Sequence, residues 1–178
     1  MGRWKFSLLI FLVSLPVWAQ TQKDPLTDAE SEEIREYADR PPDRVKLYLK
    51  FIDQRTTAIH QIGHDAKASG QDDRVRTLIE EFTRLVDELQ DNLDVYSTTH
   101  ADIRKVLKEV IETSGKWPTV LQEPPADKVY DFPRKTALDA AESMNDEAKK
   151  MLAEQDKYFA ELKAKAKAKE KEGTQPPN

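Results

Sequence analysis

Apolar side chains recur at every seventh residue through the middle of this chain. One column consists of Val75, Phe82, Leu89, Tyr96, Ile103, Val110 and Trp117. A second column beside it consists of Ile79, Val86, Leu93, His100, Leu107, Ser114 and Leu121. Two adjacent columns at this period are typical of helices that pack along their length. The pattern therefore predicts a helical bundle.

Prolines and glycines divide the chain into helical stretches. The first begins with a capping box, in which the Thr27 side chain accepts from the Glu30 N–H and the Glu30 side chain accepts from the Thr27 N–H. This short helix should end near Asp39 and dock on the body as a strap. The second helix is expected from Pro41, which suits a first turn, to about Ser69.

The third stretch, from Asp73 to Gln122, has two interpretations. It is one helix of about 50 residues, or two helices that meet near Thr98, in a run of serine and threonine that favours helix weakly. The seven-residue period continues from Tyr96 to Ile103 across this point, and a chain reversal has no reason to preserve it. We therefore favour a single helix that bends near Thr98.

The last helix is expected from about Arg134 to about Glu172, after a proline-rich loop over residues 123–133. Beyond Leu162 its apolar residues shrink to alanine alternating with lysine, so this end should project as a solvated helix. The sequence contains no convincing strand pattern. We expect an all-α, antiparallel bundle of three long helices with coiled-coil-like packing, a short N-terminal helix and a disordered C-terminal tail.

The N-terminal segment has the features of a signal peptide. Two basic residues precede an apolar run, and Val17-Trp18-Ala19 fits the positions that a signal peptidase reads. The run from Phe6 to Ala19 has 14 residues, whereas a membrane-spanning helix needs about 20. We expect cleavage after Ala19 and a periplasmic or secreted protein. The predicted divisions are a signal peptide at 1–19, a short helix and leading linker at 20–40, the bundle at 41–162 and a lysine- and alanine-rich tail at 163–178.

The net charge of the chain limits the classes of molecule that it is expected to bind. Without Arg3 and Lys5 there are 26 basic and 33 acidic residues, which give a net charge of −7. The tail is locally positive, so residues 20–162 alone have a net charge of −10. An acidic body argues against nucleic acid, because phosphate contacts need a basic face. The chain has no cysteine, so packing alone must stabilise an exported domain.

The histidines are the strongest candidates for a metal-binding or catalytic site. His60 and His64 are four residues apart on a predicted helix, so they share a face and can hold one Zn²⁺ ion. A full site needs further ligands, and Gln61 stands where a zinc protease has its glutamate. We expect two surface histidines, with a metal-binding helical domain as a remote alternative, and a packed, hydrogen-bonded His100 in the core. We expect no catalytic residue and no cofactor.

Three aromatic residues lie around the proline-rich loop, namely Trp117, Tyr130 and Phe132. One interpretation is an apolar plug that closes one end of the bundle. The other is a partner-binding tip, because aromatic side chains beside rigid prolines make good anchors.

The sequence as a whole favours a non-enzymatic interaction or scaffold protein of the bacterial cell envelope, with a protein partner or self-association. The alternative is a surface binder whose basic tail docks on anionic lipid or cell-wall polymer. Oligomeric state is open at this level, because heptad seams close equally well within one chain or between two chains.

Overall fold

The computed structural model describes residues 24–64 and 71–173, and every regular element within these two ranges is a helix. The all-α prediction is confirmed. The helices are α1 (Asp28–Glu36), α2 (Pro41–His64), α3 (Gln71–Thr98), α4 (Arg104–Ser114), α5 (Trp117–Gln122) and α6 (Asp131–Gly173). The predicted signal peptide and the last five residues of the tail lie outside the described residues. No helix in the described ranges has both the length and the apolar character needed to cross a membrane.

Helices α2 and α3 run antiparallel. The Tyr48 hydroxyl donates to a Glu88 carboxylate oxygen at 3.2 Å, and Arg55 Nε donates to Glu81 at 3.1 Å. Residue numbers therefore fall along α3 as they rise along α2. The apolar columns of both helices meet in the core, where Ile52, Ile79 and their neighbours are completely buried.

Helices α4 and α5 return beside α2 in the same direction as α2. Lys46 lies 3.9 Å from Glu109 near the start of this pair, and His60 contacts Glu123 at its end. Together α4 and α5 form one broken third side of the bundle, in contact with both α2 and α6.

Helix α6 completes the bundle and contacts α3, α4 and α5. It runs antiparallel to α4, since Arg104 pairs with Asp156 at 3.5 Å while Asn145 bonds to Ser114 at 2.8 Å. It runs parallel to α3, because α6 is antiparallel to α4, α4 is parallel to α2, and α2 is antiparallel to α3. Thr83 and Thr136 line one groove between α3 and α6. The core is therefore enclosed by four helical sides, and the expected three-helix bundle is replaced by this arrangement.

The favoured single helix from Asp73 to Gln122 is wrong, and the alternative of two helices meeting near Thr98 is the one observed. His100 has a positive φ of 55° and ends α3. The His100 N–H donates to the Ser97 carbonyl at 3.1 Å, and the Ala101 N–H donates to the Tyr96 carbonyl at 3.0 Å. These two bonds form a Schellman motif, which closes a helix C-terminus and lets the chain change direction.

The expectation that His100 is packed in the core is wrong, because the residue lies in this turn. Its side chain is exposed rather than packed in the core, and its ring stacks on Tyr158 with centroids 4.2 Å apart. The seven-residue period survives because one Schellman turn returns Ile103, which is 1% exposed, to the same core. A seven-residue period that continues along the sequence therefore indicates which residues are buried, and it does not prove that the helix is continuous.

Two amide side chains on the core-facing side of α6 hold the ends of α4. Gln155 is 6% exposed; its Oε1 accepts from the Ile103 N–H at 3.2 Å and its Nε2 donates to the Ala101 carbonyl at 2.9 Å. At the other end, Asn145 Nδ2 donates to the Ile111 carbonyl at 2.7 Å. The ten residues from Asn145 to Gln155 span about 15 Å of helix, which matches the length of α4 between these contacts.

A buried arginine fastens α1 to the bundle. The predicted capping box is confirmed, with the Thr27 N–H to Glu30 at 2.8 Å and the Glu30 N–H to Thr27 Oγ1 at 3.2 Å. The Glu30 carboxylate also accepts from Arg55 Nη2 at 2.9 Å, and the same nitrogen donates to the Pro25 carbonyl at 2.7 Å. The Arg55 and Glu30 side chains are only 11% and 12% exposed. One guanidinium therefore joins the strap to both α2 and α3, through Glu81 on the latter.

Replacing Gln155 with leucine should destabilise the fold, because it leaves the Ile103 N–H and the Ala101 carbonyl without their side-chain partner. We expect a loss of about 2–3 kcal/mol in the free energy of unfolding, measured by urea denaturation with far-ultraviolet circular dichroism. The matched control is Gln54→Leu, at an exposed position of α2, which should change it by no more than about 0.5 kcal/mol. Equal effects at both positions would show that the Gln155 amide does not hold the turn.

The Glu30–Arg55 pair should make stability sensitive to acid. Hydrogen bonding to Arg55 lowers the pKa of Glu30 from 4.5 to about 2. Its contribution is complete above pH 4.5 and is lost as the pH falls toward about 2. At neutral pH the free energy of unfolding of wild type should exceed that of Glu30→Gln by about 3 kcal/mol. This difference should disappear in acid.

The measurement is urea denaturation of both proteins across the acid range. Glu32→Gln is the control, because its side chain is 60% exposed and an ion pair in solvent contributes little. A gap between wild type and Glu30→Gln that stays constant down to the lowest pH would contradict the assignment.

Candidate partner-binding groove

The structure separates the three aromatic residues predicted to form a tip. Trp117 and Tyr130 are each 2% exposed, whereas Phe132 is 79% exposed. The predicted set therefore does not form one exposed surface: two members lie in the core and one lies in solvent.

The two buried members close one end of the bundle. The Trp117 ring packs edge-on against Phe82 with centroids 5.3 Å apart. The Tyr130 hydroxyl donates to the Pro125 carbonyl at 2.7 Å, and Arg134 Nη2 donates to the same carbonyl at 2.7 Å. These contacts fold the proline-rich loop onto the first turn of α6. They fix the backbone from which Phe132 projects.

Phe132 borders a groove of about 610 Å³ between α3 and the start of α6. The α6 side of this groove is apolar or small, and its other exposed apolar side chain is Val129, at 39% exposure. The lining residues are Arg76, Glu80, Thr83, Arg84, Asp87, Val129, Phe132, Pro133 and Thr136. We call this site the Phe132 groove. A phenyl ring in solvent beside a concave surface is suited to apolar contact with another molecule.

The α3 side of the Phe132 groove is charged. We call Arg76, Glu80, Arg84 and Asp87 the α3 charged stripe. Arg76 Nε donates to Glu80 at 2.8 Å, and Arg84 Nε donates to the Glu80 carbonyl at 3.2 Å. Partial burial, followed by the charge of Asp91, raises the pKa of Asp87. A cation that approached Asp87 from outside would counter both effects.

A smaller groove of about 320 Å³ continues along the same seam. It shares Thr83, Asp87 and Thr136 with the Phe132 groove. Farther along, Ala140 and Ser143 of α6 lie in its lining. Small side chains at these positions leave an open channel between the parallel helices. The surface is therefore long enough to receive a helix as well as a single side chain.

One member of the histidine pair, His60, lies among the described side chains. His60 is exposed and contacts Glu123 across the bundle. The His64 side chain lies outside the described residues. Among the described residues no group of three or more histidine, aspartate or glutamate side chains is placed to hold a metal ion.

Sequence reasoning missed Val129 and the α3 charged stripe as parts of a site. A signal was present, because positions 76, 80, 84 and 87 recur at helical spacing beside the apolar columns. Such charges are usually a solvated face. Only the position of α6 shows that they border a groove with an exposed phenylalanine.

Comparison of the chain with protein-family models, with curated proteins and with solved structures finds no match.

Proposed function

We propose that this protein is an exported, non-enzymatic interaction protein of the bacterial cell envelope, which binds a protein partner through the Phe132 groove. The observation that carries the proposal is Phe132 itself, with 79% of its surface in solvent at the edge of a groove of about 610 Å³. Export is supported by the pattern of residues 1–19.

The setting of Phe132 supports a role in binding. Tyr130, two residues earlier in the sequence, is buried, so an apolar interior lies within reach of the same segment. Phe132 instead lies on the first turn of α6, next to a backbone fixed by the Tyr130 and Arg134 bonds to Pro125. Because the backbone is already fixed, only the short Phe132 side chain must be ordered on binding, which costs little conformational entropy. This combination of an exposed ring and a fixed backbone is typical of a binding anchor.

The proposal is tested by photocrosslinking in the cells that produce the protein. A photoreactive phenylalanine analogue at position 132 should form a discrete protein adduct, because the groove is occupied by a partner. The matched control places the same analogue at Val95, which is also on the surface and is 57% exposed. Adducts of equal yield and size at both positions, or none at position 132, would contradict the proposal.

A second candidate function rests on the end of α6. Past Phe159, whose ring lies 4.4 Å from the Arg104 guanidinium, every side chain from Ala160 to Glu170 is exposed. We call residues 160–170 the α6 arm. It extends about 16 Å beyond the bundle and has four lysines against two glutamates. An arm of this kind fits an anionic lipid or polymer surface.

Replacing the four arm lysines, at positions 163, 165, 167 and 169, with glutamine tests this candidate. Binding to phosphatidylglycerol vesicles should fall at least about tenfold in a sedimentation assay, because each lysine near an anionic surface contributes about 1 kcal/mol. The control replaces four exposed lysines of the body, at 105, 108, 128 and 135, which keeps the net charge equal. Equal losses in both variants, or no vesicle binding by wild type, would contradict the arm as the docking element.

A further inference from the structure

The α3 charged stripe alternates in sign along the helix. Arg76, Glu80, Arg84 and Asp87 lie at positions i, i+4, i+8 and i+11, so they follow one side of α3. Read in either direction, the order of charges is complementary to its own reverse. A second stripe laid antiparallel places Arg76 opposite Asp87 and Glu80 opposite Arg84, whereas a parallel stripe places like charges together.

We propose that the occupant of the Phe132 groove is a second copy of this chain, paired through the α3 charged stripes about a twofold axis near residue 82. Such an isologous contact uses the same surface on both copies, which the self-complementary order of charges permits. The inference rests on the proposed function, because it names the partner of the same groove.

Phe132 is placed to serve this contact. Thr136 shares the groove with Thr83, so Phe132, one turn earlier on a parallel helix, is level with about residue 80 of α3. The axis then relates the two Phe132 rings at a separation of about 8 Å or less along the helix. Each ring lies over the groove of the other copy, close to the opposing ring, and loses its contact with water.

The residues of the α3 charged stripe gain ion-pair partners in the same pairing. Partial burial and the charge of Asp91 raise the pKa of Asp87, so both disfavour its charged form in the single chain. In the pair it faces the Arg76 guanidinium of the second copy. Glu80 of each copy faces Arg84 of the other, which adds two central ion pairs beside the apolar rings.

Charge reversal tests whether the two stripes contact each other. Arg84→Glu places Glu80 opposite a second glutamate, and Glu80→Arg places two arginines opposite one another, so each variant repels its own kind. A mixture of the two variants restores opposite charges at both central positions. Sedimentation velocity of the purified protein over about a hundredfold concentration range should show a dimer for wild type, monomers for each variant alone, and a dimer for the mixture.

Phe132→Ala should raise the dimer dissociation constant by at least about thirtyfold, while Val95→Ala should leave it unchanged. Circular dichroism of each variant checks that the helices are retained. A wild type that is monomeric at every concentration, a dimer unaffected by Phe132→Ala, or a mixture that remains monomeric would overturn the inference. If wild type is monomeric and position 132 still crosslinks to a different protein, only the identity of the occupant fails. If no adduct forms, the proposed function fails with it.

Discussion

The helical structure is interrupted twice between residues 98 and 117, and both breaks lie against a packed core. Each break leaves backbone N–H and carbonyl groups without a helical partner, and two amide side chains of α6 bond to such groups. A buried N–H or carbonyl without a partner costs free energy comparable to a lost hydrogen bond. Gln155 bonds both sides of the first turn, and Asn145 bonds the end of α4. Because these amides are ten residues apart on one rigid helix, they fix the length of α4, its register against α6 and the direction in which α5 leaves.

The groove follows from that register. With α6 held against α4, its opposite side meets α3 through small residues such as Thr136, Ala140 and Ser143. Parallel helices with small side chains at the seam leave a channel rather than a filled interface. The first turn of α6 is tied to the loop by Tyr130 and Arg134, so the same helix that completes the core also carries Phe132 to the rim. Fold and candidate site therefore depend on one helix.

Local signals in the sequence were sufficient for the capping box, the all-helical class and the columns of the core. The break after Thr98 was the less favoured of two interpretations, because a heptad column reports burial alone and because His100 supplies a positive φ that is usually expected of glycine. Tyr130 and Phe132 differ little in composition or context, yet one is buried and the other exposed. The burial of each ring depends on where α6 begins and on the hydrogen bond to the Pro125 carbonyl, and both are features of the tertiary structure. No short-range pattern encodes them.

Electrostatics decides where an acidic chain of this kind can meet another protein. Residues 20–162 have a net charge of −10, so two copies, or this chain and another acidic protein, repel over most relative orientations. The α3 charged stripe has two positive and two negative residues and is locally neutral. Close approach there carries no net repulsion, and the order of its charges distinguishes one orientation from the reverse. The exposed ring supplies attraction that the charges cannot, because rim ion pairs contribute specificity more than affinity. Apolar attraction and charge order thus coincide at the Phe132 groove, whereas the lysine-rich arm offers only a charge that salt would screen.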